Sequence, residues 1–141
     1  VSLETLCQPW ENKPPPFALK RRLMAEVARI ARVLHVHGVN HRDFYLCHFL
    51  LDRNHTIDDE VKLYLIDLHR AQIRRVTPRR WMIKDLAGLY YSSRGTGLTR
   101  GDHFRFMRSY RDKPLREVLL HEKLFWQKIV ERGERLYRDN P

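Results

Sequence analysis

Apolar residues recur every three or four positions over residues 17–37, which predicts the clearest helix of the chain. The members of this apolar stripe are Leu19, Leu23, Val27, Ile30 and Leu34. Gly38 follows directly, and glycine often ends a helix because it adopts the left-handed backbone conformation without strain. The helix should therefore lead the chain straight into the segment that follows Gly38.

Two short apolar runs come next and predict a pair of strands. The first is residues 49–51, and the second is residues 61–66, which are mostly aliphatic or aromatic. Residues 52–55 between them form a turn-rich segment. The pattern predicts a hairpin with one carboxylate at each open end. Asp43 lies in the loop before the first strand, and Asp67 closes the second.

Helices dominate the rest of the chain. The periodicity predicts helices over residues 81–93, 99–110 and 115–137, the last of them as one long helix. Residues 1–3 are typical of the end of a strand, and residues 8–16 contain four prolines and cannot form a regular helix. We therefore expect an α+β fold that is mainly α-helical and contains one short β-hairpin.

Charge narrows the possible partners. The 141 residues suit one domain, and the formal net charge of +10 favours phosphates, anionic lipid, nucleic acid or an acidic protein. A basic, solvated surface that only aids solubility is the alternative. Cys7 and Cys47 lack metal-binding spacing, which predicts reduced thiols in a cytosolic protein. No apolar stretch approaches the ~20 residues of a membrane span.

Three carboxylates stand out, two of them as candidates for chemistry and the third, Asp85, for a structural role. Phosphoryl transfer to a hydroxyl requires a carboxylate near the acceptor and a hard oxygen ligand for Mg²⁺, roles that suit Asp43 and Asp67. Each of these alone could equally be a turn residue. Asp85 falls within the apolar pattern of residues 81–93 and must be hydrogen-bonded if it is buried. An exposed position at the edge of that helix is the alternative.

A run of residues in this region resembles a known family. The run His41-Arg42-Asp43, with His48 five residues after the aspartate and Ile66-Asp67-Leu68 after a strand, resembles the catalytic loop and metal-binding motif of protein-kinase-like phosphotransferases. Residues 41–50, with Asp67 and Asp85 in order, are similar to the bacterial lipopolysaccharide core heptose(I) kinase family. Two further classes stay open: another kinase-like phosphotransferase that acts on a sugar or other small molecule, and a catalytically inactive kinase-like binding module.

The resemblance implies a fold and an activity. Residues 1–141 would form the C-terminal lobe of a protein-kinase-like fold, with residues 1–6 as the end of the hinge strand and its connector. Glu4, Thr5 and Leu6 would meet the nucleotide there. The protein would phosphorylate an inner-core heptose of lipopolysaccharide with ATP and Mg²⁺. The lysine and glutamate of an N-terminal lobe are not found, so the chain is expected to be a piece of a longer protein and inactive alone.

The resemblance also implies roles for single residues. Asp43 would be the catalytic carboxylate and Asp67 the metal ligand, while His41, Arg42 and Asp85 would support the catalytic loop. His48 replaces an asparagine, which leaves three roles open: a weak metal ligand, a contact to phosphate, or a hydrogen-bond partner of Asp43. The last is favoured, because a lone imidazole is more often structural.

Partners follow from the basic segment after Asp67. Its arginines are Arg70, Arg74, Arg75, Arg79 and Arg80. They would bind a lipid-linked lipopolysaccharide core acceptor, with an anionic membrane surface or an acyl carrier protein as further acidic partners. Solvation, or ion pairs with Asp58, Asp59 or Glu60, is the alternative. The core spacing of the aromatic residues argues against nucleic acid. We expect the protein at the cytoplasmic face of the inner membrane.

Overall fold

The computed structural model describes residues 1–54 and 60–140. In these residues the α-helices are α1 (Leu3–Cys7), α2 (Phe17–Val36), α3 (Arg79–Ser92), α4 (Arg100–Arg111), α5 (Leu115–His121) and α6 (Lys123–Asp139). The strands are β1 (Val39–Asn40), β2 (Phe49–Leu51), β3 (Leu63–Leu65) and β4 (Gln72–Ile73), and a 3₁₀ turn spans Leu46–His48. The predicted α+β class is confirmed.

Helix α2 forms where its apolar stripe predicts it. Leu23, Val27 and Ala31 are buried along one face, on which α2 packs against α4. The helix ends before Gly38, whose φ of +83° is the left-handed conformation that glycine accommodates. The backbone of Gly38 also accepts a 2.8 Å hydrogen bond from the N–H of Arg74. The turn after α2 is therefore fixed against the basic segment.

We expect Gly38→Ala to destabilise the protein by more than the roughly 1–2 kcal/mol of left-handed strain alone. A Cβ at position 38 would lie 1.7 Å from the carbonyl oxygen of Arg74, so the backbone must shift. Gly95→Ala is a matched control, because Gly95 has a φ of +79° but nothing within 4 Å of an added Cβ. Equal losses in urea denaturation would show that the close approach at Gly38 contributes nothing.

Two small antiparallel sheets support the loops. Strand β2 pairs with β3, with Phe49 opposite Leu65, as the hairpin pattern predicts. Strand β1 pairs with β4, with Val39 opposite Ile73. The second pairing was not predicted, because strands of two residues are too short to show an alternating pattern.

The segment predicted as a connector, Glu4, Thr5 and Leu6, lies in a helix rather than in a loop or a strand. Ser2 does bridge to Leu50 as a strand end would, but the three residues lie within α1. The Ser2 hydroxyl accepts a hydrogen bond from the N–H of Thr5, and its carbonyl accepts one from Leu6. A serine cap therefore starts a helix one residue after the strand.

The single long helix predicted over residues 115–137 is also wrong. Glu122 adopts φ −125° and ψ 22°, which ends α5 and separates it from α6. The break lets α5 pack against α4 while α6 packs against α3, and Glu122 forms an ion pair with Arg111 of α4. Periodicity alone misses such a break, because it arises from contacts with other helices.

Over the described residues, no helix is both long and apolar enough to cross a membrane.

Candidate active site

Asp85 of α3 holds the loop that carries Asp43. Its Oδ2 accepts a 2.9 Å hydrogen bond from the N–H of His41, and its Oδ1 accepts one of 2.9 Å from the N–H of Arg42. Asp85 is 1% exposed, so it does not lie on an open edge of the helix. These are the contacts that the resemblance implied for this carboxylate.

A buried chain of polar groups reaches Asp85 from two other helices. The His35 Nε2 lies 2.9 Å from Asp85 Oδ2, and its Nδ1 lies 2.7 Å from the hydroxyl of Tyr110. Burial raises the pKa of Tyr110, so its hydroxyl stays protonated and can donate to Nδ1. A carboxylate only accepts, so Nε2 donates to Asp85. Each side chain in this buried series therefore has a hydrogen-bond partner.

Sequence reasoning missed His35, although one signal was available. The buried positions Val27 and Ala31 recur at intervals of four, and the next step along that face is His35. A histidine on a buried helix face needs polar partners inside the protein. The identity of those partners could not be derived, because Asp85 lies 50 residues away in the chain.

We expect Asp85→Ala to lower the free energy of unfolding by about 3–5 kcal/mol, as when one partner of a buried pair is removed. The substitution leaves the N–H groups of His41 and Arg42 and the Nε2 of His35 without their acceptor. Thermal and denaturant unfolding would measure the loss, with the exposed Asp139→Ala as control. An unchanged melting temperature together with lost activity would assign Asp85 to the chemistry instead.

His41 ties the same loop to the strand that carries Asp67. It is fully buried, and its Nε2 donates a 2.9 Å hydrogen bond to the carbonyl oxygen of Ile66. Its Nδ1 accepts a 3.1 Å hydrogen bond from the N–H of Asp43. One imidazole thus fixes Asp43 relative to the residue that precedes Asp67.

His48 lies between the backbone of Asp43 and the carboxylate of Asp67. Its Nδ1 lies 2.6 Å from the backbone carbonyl oxygen of Asp43, and its Nε2 lies 3.1 Å from Oδ2 of Asp67. Both partner atoms only accept, so both contacts are hydrogen bonds only when the ring carries two protons. The link to Asp43 runs through the backbone and leaves its carboxylate available.

Asp67 lies at the edge of the site in a left-handed conformation with a φ of 61°. Its Oδ1 contacts Nδ1 of His69, and its Oδ2 contacts His48. In the part of the chain described, no three histidine, cysteine or acidic residues are grouped to hold a metal ion. Mg²⁺ needs no such cage, since it keeps several waters and binds one or two carboxylates together with phosphate oxygens. One carboxylate at Asp67 fits that pattern.

The carboxylate of Asp43 is partly exposed. Its Oδ1 accepts a 2.7 Å hydrogen bond from Nη1 of Arg70, and the side chain is 16% exposed. Its Oδ2 has no hydrogen-bond partner among the residues described. That oxygen can accept a proton from solvent or from a bound hydroxyl group.

The arginines of the basic segment contact different groups in the structure. Arg70 is paired with Asp43, whereas the guanidinium of Arg79 lies over the ring of Phe125. Arg74 and Arg80 both lie beside Trp81. No described ion pair joins these arginines to Glu60, and Asp58 and Asp59 lie outside the described residues.

Comparison with known proteins identifies relatives for most of the chain. The model of the lipopolysaccharide kinase (Kdo/WaaP) family matches residues 1–110. The lipopolysaccharide core heptose(I) kinase WaaP of Pseudomonas aeruginosa is 49% identical over 138 residues, which cover 97% of this chain and 52% of that protein. The protein of the same name from Escherichia coli K12 is 48% identical over 137 residues, which cover 96% of this chain and 52% of that protein.

A solved structure agrees with these matches. A structure of WaaP in complex with acyl carrier protein superposes with a TM-score of 0.89 at 48% identity, covering 97% of this chain and 57% of that one. The chain spans about half the length of the curated relatives that it matches. The motifs around Asp43, Asp67 and Asp85, the fold and the family match agree. This chain belongs to the lipopolysaccharide kinase (Kdo/WaaP) family.

Proposed function

We propose that this chain forms the C-terminal lobe of an ATP-dependent heptose(I) kinase of the lipopolysaccharide core. The observation that carries the proposal is the position of His48, which contacts both the backbone of Asp43 and the carboxylate of Asp67. Two carboxylates of different elements are thereby held at one edge of the lobe. The names of the relatives supply the acceptor class.

In this proposal each side chain has a defined task. Oδ2 of Asp43 accepts the proton of the acceptor hydroxyl as that oxygen attacks the γ-phosphorus of ATP, whose bond to the β–γ bridging oxygen breaks so that ADP leaves. Arg70 holds the other oxygen of the same carboxylate and so fixes the orientation of Asp43. Asp85 and His41 position the loop through backbone hydrogen bonds and touch no substrate.

Asp67 would hold Mg²⁺, which neutralises charge on the phosphates of ATP when bound. His48 and His69 each contact one oxygen of this carboxylate, and each oxygen keeps a second lone pair that could bind the metal. The contact from His48 to Oδ2 would then orient Asp67 toward the metal. The first residues of the chain, ending in Glu4, Thr5 and Leu6, would border the nucleotide.

The test is an ATP-turnover assay in the full-length protein with a lipid-linked core acceptor that ends in heptose. Phosphate transferred to heptose, and absent when Mg²⁺ is removed, is the expected result. A kinase-like phosphotransferase of another specificity would instead phosphorylate a different sugar when other sugars are offered. Nucleotide binding without transfer to any acceptor would identify an inactive kinase-like module.

We further propose that an acyl carrier protein is a partner. The solved relative is a complex with such a protein. In this chain an apolar cavity of about 150 Å³ lies among α1, α2, α3, α4 and α6. Its lining includes Leu3, Val27, Leu89, Met107 and Ile129. An apolar cavity suits the end of an acyl chain, and the +10 charge of the chain would attract an acidic carrier.

Binding of carrier protein with and without an acyl chain would test this partner. We expect the acylated form to bind more tightly and to raise the melting temperature, because it fills apolar space in the native state only. Equal binding of both forms would place the carrier on the surface alone. Co-sedimentation of the full-length protein with anionic vesicles tests the proposed location at the cytoplasmic face of the inner membrane.

A further inference from the structure

Four cationic side chains surround a single indole ring where the catalytic loop meets the first turn of α3. The ring belongs to Trp81. The charged centres lie at 5.8 Å for Arg42, 5.6 Å for Arg74, 5.5 Å for Arg80 and 5.2 Å for Lys84 from its centroid. We call this group the Trp81 cluster.

Within residues 1–54 and 60–140, no carboxylate forms an ion pair with a cation of the Trp81 cluster, although Asp43 lies near enough for its charge to act on Lys84. None of its four cations appears in a described ion pair. In the described hydrogen bonds, the guanidinium of Arg74 donates only to the neutral side-chain oxygens of Asn40 and Gln72. Asp85 accepts a hydrogen bond from the backbone N–H of Arg42, and no described hydrogen bond joins it to the Arg42 guanidinium. Nε of Arg42 and Nε1 of Trp81 are both buried without a hydrogen-bond partner. The cluster therefore holds donors and charge that lack an acceptor.

The indole ring cannot balance that charge. An aromatic ring attracts cations at its two faces, and four cations exceed what two faces can hold closely. Since all four share one centroid, no two lie more than about 12 Å apart, close to the ~10 Å Debye length of 0.1 M salt. Burial, and then the charge of Arg42, lowers the pKa of Lys84. These features describe a strongly electropositive site.

We propose that Arg42, Arg74, Arg80 and Lys84 form an oxyanion site over Trp81, which binds a phosphate or carboxylate group of the acceptor beside Asp43. Guanidinium groups match both oxyanions with paired hydrogen bonds. Helix α3 starts at Arg79 after Pro78 without a side-chain cap, so its first N–H groups add to the attraction. Arg42 directly precedes Asp43, so an anion held by the Trp81 cluster would lie beside the loop that carries Asp43.

The proposal deepens the acceptor site of the kinase proposed above and rests on it. It replaces the five arginines of the basic segment by a site that adds Arg42 and Lys84 and omits Arg70, Arg75 and Arg79. The proposal also implies an order of two reactions. An acceptor recognised here must already carry an acidic sugar or a phosphate, so the transferase that attaches that group acts before this enzyme.

A binding experiment without turnover tests the site itself. The full chain is titrated with inorganic phosphate against chloride at equal ionic strength, and tryptophan fluorescence and melting temperature are followed. We expect saturable binding that weakens at least tenfold in Arg80→Gln/Lys84→Gln. The control Arg116→Gln/Lys128→Gln removes the same charge from exposed positions of α5 and α6 and should bind as the parent does. Lys84→Gln alone serves if the double variant unfolds.

Equal binding by the two double variants, or no binding by the parent, would overturn the proposal. A kinetic experiment then identifies the source of the anion. In the full-length enzyme, Arg80→Gln/Lys84→Gln should raise KM for the acceptor at least tenfold and change KM for ATP little. The acceptor is then treated in two ways: its phosphates are removed, or its carboxyl groups are reduced. The treatment that removes the group bound at the site should raise KM for the acceptor as the double variant does. Phosphate binding with no heptose transfer would leave the site standing and reject the proposed function.

Discussion

Replacing Asp43 by asparagine in the full-length enzyme is expected to lower kcat by about 10²–10⁴-fold, the usual contribution of a general base. Asparagine keeps the size of the side chain and can still accept from Arg70, but its amide cannot take the proton of the acceptor hydroxyl. KM for ATP should stay close to its parent value, because Asp43 contacts no nucleotide group in the proposed arrangement. Steady-state kinetics with both substrates varied would measure the two effects separately.

A matched control uses the same substitution at the other end of the hairpin. Asp52 follows β2, and its backbone N–H donates to the carbonyl of Lys62. Its Oδ1 accepts from the N–H of Asn54, which the oxygen of an asparagine can also do. Asp52→Asn should leave kcat within about twofold, as is usual for surface substitutions away from special features. Near-parent turnover in Asp43→Asn would reject the assignment of the base.

Replacing Asp67 by alanine should abolish the part of nucleotide affinity that depends on Mg²⁺. Changes in second-shell partners of a metal commonly cost 10–100-fold in affinity, so loss of the ligand itself should cost at least about 100-fold. Calorimetric titration with a non-hydrolysable ATP analogue, with and without Mg²⁺, measures this difference directly. The Mg²⁺-dependent affinity of Asp67→Asn should lie between those of the parent and of Asp67→Ala, because asparagine keeps one oxygen but loses the charge.

His69→Ala is the control for this experiment. His69 contacts Oδ1 of Asp67, yet its side chain is 68% exposed and it supplies no oxygen ligand. We expect its loss to leave Mg²⁺-dependent binding nearly unchanged, or to improve it by freeing Oδ1. Tight binding of Mg–nucleotide to Asp67→Ala would place the metal on another residue.

Elements with strong local patterns were predictable from the sequence. Helix α2 has a long apolar stripe, and β2 and β3 are separate apolar runs flanked by polar residues, so local physics determines all three. The roles of Asp43, Asp67 and Asp85 came from motif order, and the structure brings the first two to one edge and buries the third. Their chemistry stays a prediction until it is measured.

Features that depend on distant contacts could not be predicted. The partners in the chain from Tyr110 to Asp85 lie 50 to 75 residues apart in the sequence, and the pairing of β1 with β4 rests on two-residue strands. The split of the basic segment between Asp43, Phe125 and Trp81 follows from where α3 and α6 pack. Sequence alone gave the charge of that segment without its geometry.

The backbone of Arg42 bears on how this protein can evolve. Its φ of 78° is a backbone conformation that residues other than glycine, asparagine and aspartate rarely adopt, because it costs them roughly 1–2 kcal/mol. The two hydrogen bonds from the loop to Asp85 hold it there. A screen that rewards only heat resistance should therefore enrich glycine at this position, while a screen that rewards phosphorylation of an anionic acceptor should retain arginine. Resistance to heat and recognition of the acceptor thus place opposite demands on one residue.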